Sequence, residues 1–246
     1  MSNAVVCLSG GMVSVTALYY ARKELELDPV GVSFAYGSKH NKKEREAAIE
    51  VCKVLDIPFY TYDLPTEARV LGIGYNSSVP FLQSDLLQSG GDIPEGHYAE
   101  ESMKATVVPF RNGIMLSLAV GFAESRGIDT IILGNHFGDH AVYPDCRKSF
   151  IESFSLAAWE GTYNKMQILS PFVDWSKTDI ACWGMANGVP YEKTWTCYKG
   201  MDRPCLKCGT CIERTEAFLE IDQQDPLLSA EEWELAQKLY HEVEKP

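Results

Sequence analysis

The chain has 246 residues, of which 46% are hydrophobic, and its formal net charge is −12. This length and apolar content are sufficient for one large α/β domain, or for such a domain with a small appendage, without disulfide reinforcement. This negative charge argues against a protein that binds nucleic acid over its whole surface, since phosphate binding needs clustered lysine and arginine. We recognise no basic leader and no apolar run near the roughly 20 residues of a membrane span, which predicts a cytoplasmic protein with a small molecule or a protein as its partner.

Short apolar segments alternate with helical patterns in the first quarter of the chain. Strands are predicted at residues 4–8, 29–36 and 57–64. Helices are predicted at residues 14–27 and from Asn41 onward, where Asn41 is interpreted as an N-cap. This alternation is typical of a parallel sheet that is covered by helices on both faces, and it predicts a doubly wound α/β fold.

The segment 65–106 interrupts the alternation, because it is rich in glycine, serine, proline and acidic residues. We interpret it as a long excursion from the sheet. From Pro171 through a later cluster of cysteines, the chain is predicted to be irregular. The remaining predicted elements are a helix at 113–124, a strand at 130–134, a helix at 149–160 with Phe150, Phe154 and Ala157 on one face, and a helix at 229–244 with a good N-cap.

A glycine pair stands between the first predicted strand and the first predicted helix. The segment reads Leu8-Ser9-Gly10-Gly11-Met12-Val13-Ser14. Backbone N–H groups and the positive end of a helix dipole converge on an anion at such a place, glycines let the backbone approach it, and serine hydroxyls can donate to it. The segment therefore indicates a phosphate-binding loop, and the alternative is a tight turn that merely needs glycine.

Four of the eight cysteines fall within fifteen residues of one another. They are Cys197, Cys205, Cys208 and Cys211, with the spacing C-x7-C-x2-C-x2-C. Four thiolates at this spacing can close a tetrahedron around Zn²⁺, and four protein ligands leave no open position for chemistry, so a structural zinc ion is predicted. Chance clustering of reduced cysteines and an iron–sulfur cluster are the alternatives.

The glycine loop resembles the Ser-Gly-Gly-x-Asp-Ser loop of the ATP pyrophosphatase superfamily, whose members split ATP between its α and β phosphates. Val13 occupies the position of the aspartate. The resemblance implies that this carboxylate helps to organise metal and phosphates, and valine can neither accept a hydrogen bond nor coordinate Mg²⁺. Natural loss of activity, another carboxylate in its place, and a deliberate replacement that traps a bound state are three open explanations.

Three further motifs, in the same order, make nearly the whole chain resemble the 7-cyano-7-deazaguanine synthase family. Residues 36–40 resemble its Tyr-Gly-x-x-His motif, residues 108–112 its Val-Pro-x-Arg-Asn motif, and residues 143–147 its Tyr-Pro-Asp-Cys-Arg motif, which follows Gly134-Asn135 and Asp139. The chain departs from the family at His140, where tyrosine is usual, and at Ala141-Val142, which replace a Ser-Gly pair. Each motif also has a plain structural interpretation, as a strand end, a helix start or an ion pair.

This resemblance implies an ATP-dependent enzyme that converts 7-carboxy-7-deazaguanine and ammonia to the nitrile by adenylating first the carboxylate and then the amide oxygen. It implies ATP, Mg²⁺ and Zn²⁺ as the bound groups and a homodimer as the assembly. It also implies two parts, an ATP pyrophosphatase-type domain over residues 1–190, with the excursion at 65–106, and a zinc-binding segment with a C-terminal helix over residues 191–246.

The resemblance also assigns expected roles to residues of this chain. Lys177 would neutralise developing charge, and Cys146 is interpreted as a packing residue. The expected catalytic residues are Lys177, Arg111 and Asp145. The expected ATP-binding residues are Leu8, Ser9, Gly10, Gly11, Met12 and Ser14. The expected substrate-binding residues are Tyr36, Arg111, Asn112, Asp139, Asp145 and Arg147.

An alternative hypothesis follows from Val13 and from the altered segment 140–142. In it, the chain is an impaired or repurposed homologue that binds the deazaguanine or ligates its activated carboxylate to an amine of a partner protein. A sulfur-transferring or tRNA-modifying member of the superfamily is disfavoured by the acidic composition and by the lack of a catalytic cysteine pair outside the cluster.

Overall fold

The structure, a computed structural model, describes residues 3–72, 75–97 and 101–243, without the side chains of residues 68–72 and 75–78. Within these ranges the strands are β1 (Ala4–Cys7), β2 (Pro29–Ala35), β3 (Phe59–Asp63), β4 (Glu67–Gly72), β5 (Tyr75–Pro80), β6 (Thr130–Ile132) and β7 (Gln167–Leu169). The α-helices are α1 (Met12–Lys23), α2 (Asn41–Leu55), α3 (Arg111–Glu124), α4 (Lys148–Gly161), α5 (Lys177–Ala186), α6 (Gly209–Glu220) and α7 (Ala230–Val243).

Five strands form one parallel sheet in the order β3-β2-β1-β6-β7. Successive side chains of a strand point to opposite faces, and the buried neighbours Val5 and Val6 of β1 do so here. Val6 belongs to a core cluster with residues of α1, α5 and α6, whereas Val5 belongs to one with residues of α3 and α4. Both faces of the sheet are therefore covered, and the predicted doubly wound α/β fold is confirmed.

In its described residues, the segment 65–106 contributes no strand to this sheet. It contains an antiparallel hairpin of β4 and β5, in which Glu67 pairs with Pro80 and Gly72 with Tyr75, and a 3-10 helix over Glu101–Thr106. The hairpin was not predicted, because glycine and serine within its strands give a weak β signal. The division of the chain at residue 190 stays a prediction.

The prediction that the chain is irregular from Pro171 through the cysteine cluster is wrong. Helix α5 lies within this stretch, and helix α6 begins before its end. Helix α5 begins with a capping box in which Ser176 Oγ accepts from the Asp179 amide at 3.1 Å and Asp179 Oδ2 accepts from the Ser176 amide at 2.9 Å. Helix α5 is difficult to recognise in the sequence because it contains a glycine, Gly184, which is a weak helix former. A Cβ at Gly184 would lie 1.9 Å from the hydroxyl of Tyr191, so the close packing of this buried ring requires glycine there.

Two smaller predictions are also corrected. Asn41 is the first residue of α2 and not its N-cap; its Oδ1 accepts from the amides of Tyr36 at 3.0 Å and Ser38 at 2.8 Å. Ala157 is exposed, and the buried residues of α4 are Ile151 and Ala158. In both cases the structure uses the neighbouring residue, His40 as the N-cap of α2 and Ala158 on the buried face of α4.

One stretch of the described chain, Glu101–Glu124, has the length and the mean hydropathy, 1.3, of a candidate membrane span. The sequence pattern did not single it out. Its second part is helix α3, whose inner residues Leu116 and Ala119 are fully buried in the core beside Ile131 of strand β6. Its apolar character is therefore that of a core helix.

We expect Ser176→Ala to lower the free energy of unfolding by about 1 kcal/mol, because it removes the side-chain acceptor at the start of α5. Urea denaturation of both proteins measures the difference. The matched control is Ser153→Ala on the exposed side of α4, where the hydroxyl donates to the Ser149 carbonyl and its loss changes stability by less than about 0.5 kcal/mol. Equal stability of the wild type and Ser176→Ala would contradict this account of how α5 begins.

Candidate active site

A cavity of about 180 Å³ lies where the chain leaves β1, β2 and β6. Its wall includes Leu8 and Ser9 after β1, Tyr36 after β2 and Gly134 after β6. In a doubly wound sheet the connections from a central strand diverge at its carboxyl end and leave a crevice for a ligand. The strand order places that crevice between β1 and β6, so the cavity occupies the position where such folds bind their substrates.

The glycine loop is shaped by the approach of helix α2. Gly10 has φ +92°, and a Cβ there would lie 2.1 Å from the carbonyl oxygen of Glu44. Only glycine meets both requirements. Gly11 is then the N-cap of α1, and the first N–H groups of that helix have no acceptor within it.

Two serine hydroxyls complete the loop. Ser9 Oγ and Ser14 Oγ lie 3.0 Å apart and both line the cavity. The amide of Gly11 donates to Ser9 Oγ at 3.1 Å, and that of Gly10 donates to Ser14 Oγ at 3.3 Å. Hydroxyls and free N–H groups at a helix start form a surface for an anion, which is the geometry that the sequence predicted.

Val13 is half-buried and packs against the core cluster that contains α1 and α5. Two carboxylates expected in the site support the backbone, since Asp145 Oδ2 accepts from the Asn112 amide at 2.7 Å and Asp139 Oδ2 accepts from the His136 amide at 3.1 Å. Val13 has no oxygen ligand, so the glycine loop itself does not supply the carboxylate that Mg²⁺ takes beside substrate phosphates.

Arg111 is the cationic group of the cavity wall. It is the first residue of α3, its Nη1 donates to Tyr36 Oη at 3.0 Å, and its guanidinium lies 5.5 Å from the Tyr36 ring and 5.8 Å from the Tyr143 ring. Asn112 is held beside it, because its Nδ2 donates to the carbonyl of Asp145 at 3.3 Å. The structure thus brings Tyr36, Arg111 and Asn112 together with the two serines.

Other predicted residues do not line this cavity. Lys177, at the start of α5, is buried and forms an ion pair with Glu213 of α6. His136 Nε2 lies 3.8 Å from the other oxygen of Glu213, so the pair belongs to a small buried network. Arg147 is exposed, and its Nε donates to the carbonyl of His140 at 3.1 Å. Asp139 and Asp145 lie behind the wall, where they hold backbone amides.

Cys146 is also part of this supporting layer. Its thiol is buried and accepts from Asn112 Nδ2 at 3.1 Å. Burial raises the pKa of the Cys146 thiol well above its ordinary value, and the carboxylate of Asp139 raises it further. A thiol that stays protonated is a poor nucleophile, which agrees with a packing role.

Sequence reasoning noted His40 only as the last residue of a motif and gave it no role in the site, and it did not single out Glu44 or Tyr198; all three line the cavity. His40 Nε2 lies 3.4 Å from Glu44 Oε2, and the His40 ring stacks on that of Tyr198 at 5.1 Å. The spacing of four residues at a helix start was a usable signal for His40 and Glu44. Tyr198 gave no signal, because it reaches the cavity only after the cysteine segment, residues 195–211, folds back.

Burial also sets the protonation of these residues. It lowers the pKa of His40 to about 3, with the positive charge of Arg111 adding to the effect. It raises the pKa of Glu44 to about 8, although Arg111 acts in the opposite direction. At neutral pH both side chains therefore favour their uncharged forms.

The four clustered cysteines converge as predicted, with all Sγ atoms within 4.8 Å of one another. Two of the separations are 4.0 Å, from Cys205 to Cys211, and 3.5 Å, from Cys208 to Cys211. A tetrahedral Zn²⁺ with Zn–S bonds of about 2.3 Å needs sulfur atoms roughly 3.8 Å apart, so the donor set fits one zinc ion. The space between these sulfur atoms is too small for a cluster of several irons.

The cysteine segment also contacts the glycine loop directly. The amide of Trp195 donates to the carbonyl of Gly10 at 2.9 Å. Tyr198, which follows the ligand Cys197, forms part of the cavity wall. A metal ion held by the four cysteines would therefore order the cavity wall as well as this segment.

A profile of the family described as queuosine biosynthesis protein QueC matches residues 3–222. The chain belongs to this family. It is 47% identical to a 7-cyano-7-deazaguanine synthase of Porphyromonas gingivalis over 91% of this chain and 96% of the relative. It is 41% identical to one of Archaeoglobus fulgidus over 98% of this chain and 96% of the relative. Among solved structures, an NH3-dependent NAD synthetase from Campylobacter jejuni aligns over 99% of this chain and 86% of its own, with a TM-score of 0.44 and 11% identity.

We expect the purified protein to contain about one zinc ion per chain and Cys208→Ser to lose it, because a fourth thiolate is needed to close the tetrahedron. Metal analysis and thermal melting measure both effects, and the variant melts at a lower temperature. Cys182→Ser, which changes an exposed cysteine outside the cluster, is the control and keeps metal and melting temperature. Full zinc content in Cys208→Ser would contradict the assigned ligand set.

Proposed function

We propose that this protein is a 7-cyano-7-deazaguanine synthase that converts 7-carboxy-7-deazaguanine, ammonia and two ATP to the nitrile. The observation that carries the proposal is one cavity that combines the serines of the glycine loop with Arg111 and Asn112. A phosphate-binding surface and a planar cation on one wall suit a reaction between ATP and a carboxylated base. Family membership over nearly the whole chain supports the same conclusion.

The ATP phosphates are proposed to bind on the glycine loop. Its N–H groups and the hydroxyls of Ser9 and Ser14 would stabilise the departing pyrophosphate, which is where negative charge develops during adenylation. Hydroxide and oxide are poor leaving groups, and adenylation replaces them with AMP. The residues proposed to contact ATP are Leu8, Ser9, Gly10, Gly11, Met12 and Ser14.

The deazaguanine is proposed to bind between Tyr36, Arg111 and Asn112. The guanidinium offers parallel donors to a carboxylate, and the Tyr36 ring offers a flat apolar face. Asp145 would act by fixing Asn112, and Asp139 by fixing the turn that begins at His136. Their contacts with backbone amides favour such supporting roles over direct contact with the substrate.

Lys177 and Arg147 would have to change their present contacts before they could act in the proposed reaction. Lys177 would have to exchange Glu213 for a phosphate oxygen, and His136, whose Nε2 lies 3.8 Å from Glu213, would have to move closer to pair with that carboxylate. Arg147 is exposed and would turn inward from the carbonyl of His140. Both are proposed as groups that respond to bound ligand.

Mg²⁺ is proposed to enter with ATP, held by phosphate oxygens and water, because Val13 offers no ligand to it. Zn²⁺ is proposed as the resident ion of the four cysteines, where it supplies fixed geometry and no open coordination position. The cytoplasm, whose thiols are reduced, is proposed as the compartment. A homodimer is proposed, and the exposed apolar residues Leu156, Trp159 and Tyr163 on and after α4 support an interface there.

A second candidate function is favoured by Val13 alone. In it, the same carboxylate is adenylated but passes to an amine of a partner protein, or the ligand is bound without turnover. AMP release with ammonia as the sole acceptor counts against this function. AMP release that requires a protein acceptor supports it.

We expect AMP, pyrophosphate and nitrile from the wild-type protein when ATP, Mg²⁺, ammonium and 7-carboxy-7-deazaguanine are supplied together. The Val13→Asp variant, which restores the loop carboxylate, should be at least as active, because it adds a metal ligand beside the phosphates. Chromatography of the nucleotides and mass spectrometry of the base measure the products. Product from Val13→Asp but not from the wild type would indicate an impaired synthase. Absence of product from both proteins would contradict the proposed function.

We expect Arg111→Gln to lower kcat/KM for the carboxylated base about 100-fold, which corresponds to roughly 2.7 kcal/mol of lost transition-state stabilisation. The variant loses the charge that pairs with the substrate carboxylate. Arg126→Gln, just beyond the other end of α3, is the matched control and keeps the wild-type value. A change smaller than threefold in Arg111→Gln would remove this residue from the proposed binding site.

A further inference from the structure

The pair of His40 and Glu44 is a buried polar unit in the wall of the cavity, beside the serines of the glycine loop. The side chain of His40 is 2% exposed and that of Glu44 is 17% exposed. Nε2 of His40 faces Glu44 Oε2 at 3.4 Å, whereas its Nδ1 has no hydrogen-bond partner among the described residues. A buried ring nitrogen without a partner is costly, and because His40 lines the cavity, we infer that a bound ligand would satisfy it.

The groups that face this pair come from four elements. Arg111 of α3 is the charged one, and it lies close enough to influence both side chains. Tyr36 follows β2, Tyr198 belongs to the cysteine segment, and Cys7 ends β1. Burial raises the pKa of each of these three groups, that of Cys7 to about 12, so they stay neutral and do not compete for a proton near neutral pH.

The proposed reaction releases protons from the substrate nitrogen at two stages, one proton when the amide forms and two more when the adenylated amide becomes the nitrile; amide formation is the first of these stages. Ammonia attacks the carbon of the acyl adenylate, a C–N bond forms, the C–O bond to AMP breaks, and the nitrogen must lose one proton to become the neutral amide. Carboxylate adenylation, the step before it, transfers no proton. A proton acceptor is therefore needed for amide formation, and again for nitrile formation, but not for adenylation of the carboxylate.

We propose that His40 and Glu44 form the proton relay for amide formation, an inference that rests on the proposed function. The nitrogen of the bound ammonia gives its proton to Nδ1 of His40. In the same transfer the proton on Nε2 moves to the ionised Glu44 carboxylate. The imidazole changes tautomer and stays neutral, the proton resides on Glu44, and AMP leaves with the electrons of the broken C–O bond.

The protonation behaviour of the two residues agrees with this direction of transfer. Imidazolium is strongly disfavoured, since burial lowers the pKa of His40 to about 3, but a change of tautomer creates no charge on the ring. Glu44, with a pKa raised to about 8, is a stronger base when ionised than an ordinary carboxylate. The relay therefore stores the proton on the residue that holds it best.

The pair also differs from a structural ion pair. A buried salt bridge would lower the pKa of the glutamate and raise that of the histidine, and both shifts here have the opposite sign. Near neutral pH both side chains are therefore largely uncharged, and Glu44 can accept the proton of Nε2 only after it has ionised.

The relay is tested by comparing the complete reaction with its first step alone. These assays use the wild-type protein, or Val13→Asp if only Val13→Asp turns over substrate. We expect Glu44→Gln and His40→Asn to keep ATP–pyrophosphate exchange with the carboxylated base within about threefold and to slow amide and nitrile formation about 100-fold. Glu46→Gln, an exposed glutamate on the same helix, is the control and leaves both reactions unchanged. Slowing of exchange and amide formation to the same degree would overturn the relay and indicate a structural role.

The pH profile gives an independent kinetic readout. With hydroxylamine as the acceptor, a weaker base than ammonia that stays uncharged over the range used, the rate of hydroxamate formation should rise with pH and level off above about 8, because ionised Glu44 is the acceptor. Glu44→Gln should show a flat profile. A wild-type profile that is flat across this range would overturn the relay while leaving the proposed function intact.

Nitrogen-15 NMR of histidine-labelled protein tests the pair without turnover. We expect His40 to remain neutral throughout and to change from the Nδ1–H to the Nε2–H tautomer as pH rises through about 8, where Glu44 ionises. In Glu44→Gln this change should disappear. An imidazolium signal for His40 at neutral pH would overturn the relay, and absence of both exchange and product in either background would overturn the relay together with the proposed function.

Discussion

The contact between the backbone of Gly10 and the first turn of helix α2 is the constraint on which the cavity depends. There is no room for a side chain at Gly10, and its left-handed conformation turns the chain from strand β1 into helix α1. The same approach brings the first turn of α2, with His40 and Glu44, beside the serine hydroxyls. Because the carbonyl of Gly10 also accepts from Trp195, three distant parts of the sequence meet at one residue.

The electrostatic character of the cavity follows from the burial of its wall residues by these close contacts. One guanidinium, that of Arg111, stands among tyrosines, a histidine and a glutamate that burial keeps largely neutral. Such a site has an excess of positive potential when it is empty, which suits a carboxylated base and the phosphates of ATP.

Local patterns predicted much of the fold but only the contiguous part of the site. Strands β1, β2 and β3 and helices α1 to α4 have clear periodicity, and the glycine loop and the four cysteines are read from spacing alone. Helix α5 was missed because Gly184 meets the ring of Tyr191, a contact between segments that the local pattern does not contain. Lys177 was assigned to catalysis from its motif, whereas the described side chain pairs with Glu213, more than thirty residues away. His40 and Glu44 were within reach of helix spacing, but Tyr198 was not, because tertiary folding alone brings it to the cavity.

The bond from the Trp195 amide to the Gly10 carbonyl has a consequence for the order in which the protein is made. Strand β1 and its loop leave the ribosome well before their partner in the cysteine segment does. Contacts with such a large separation in sequence form slowly and late. A nascent chain thus carries its glycine loop without this contact until the cysteine segment has emerged, and the loop is complete only after that segment has folded back onto it.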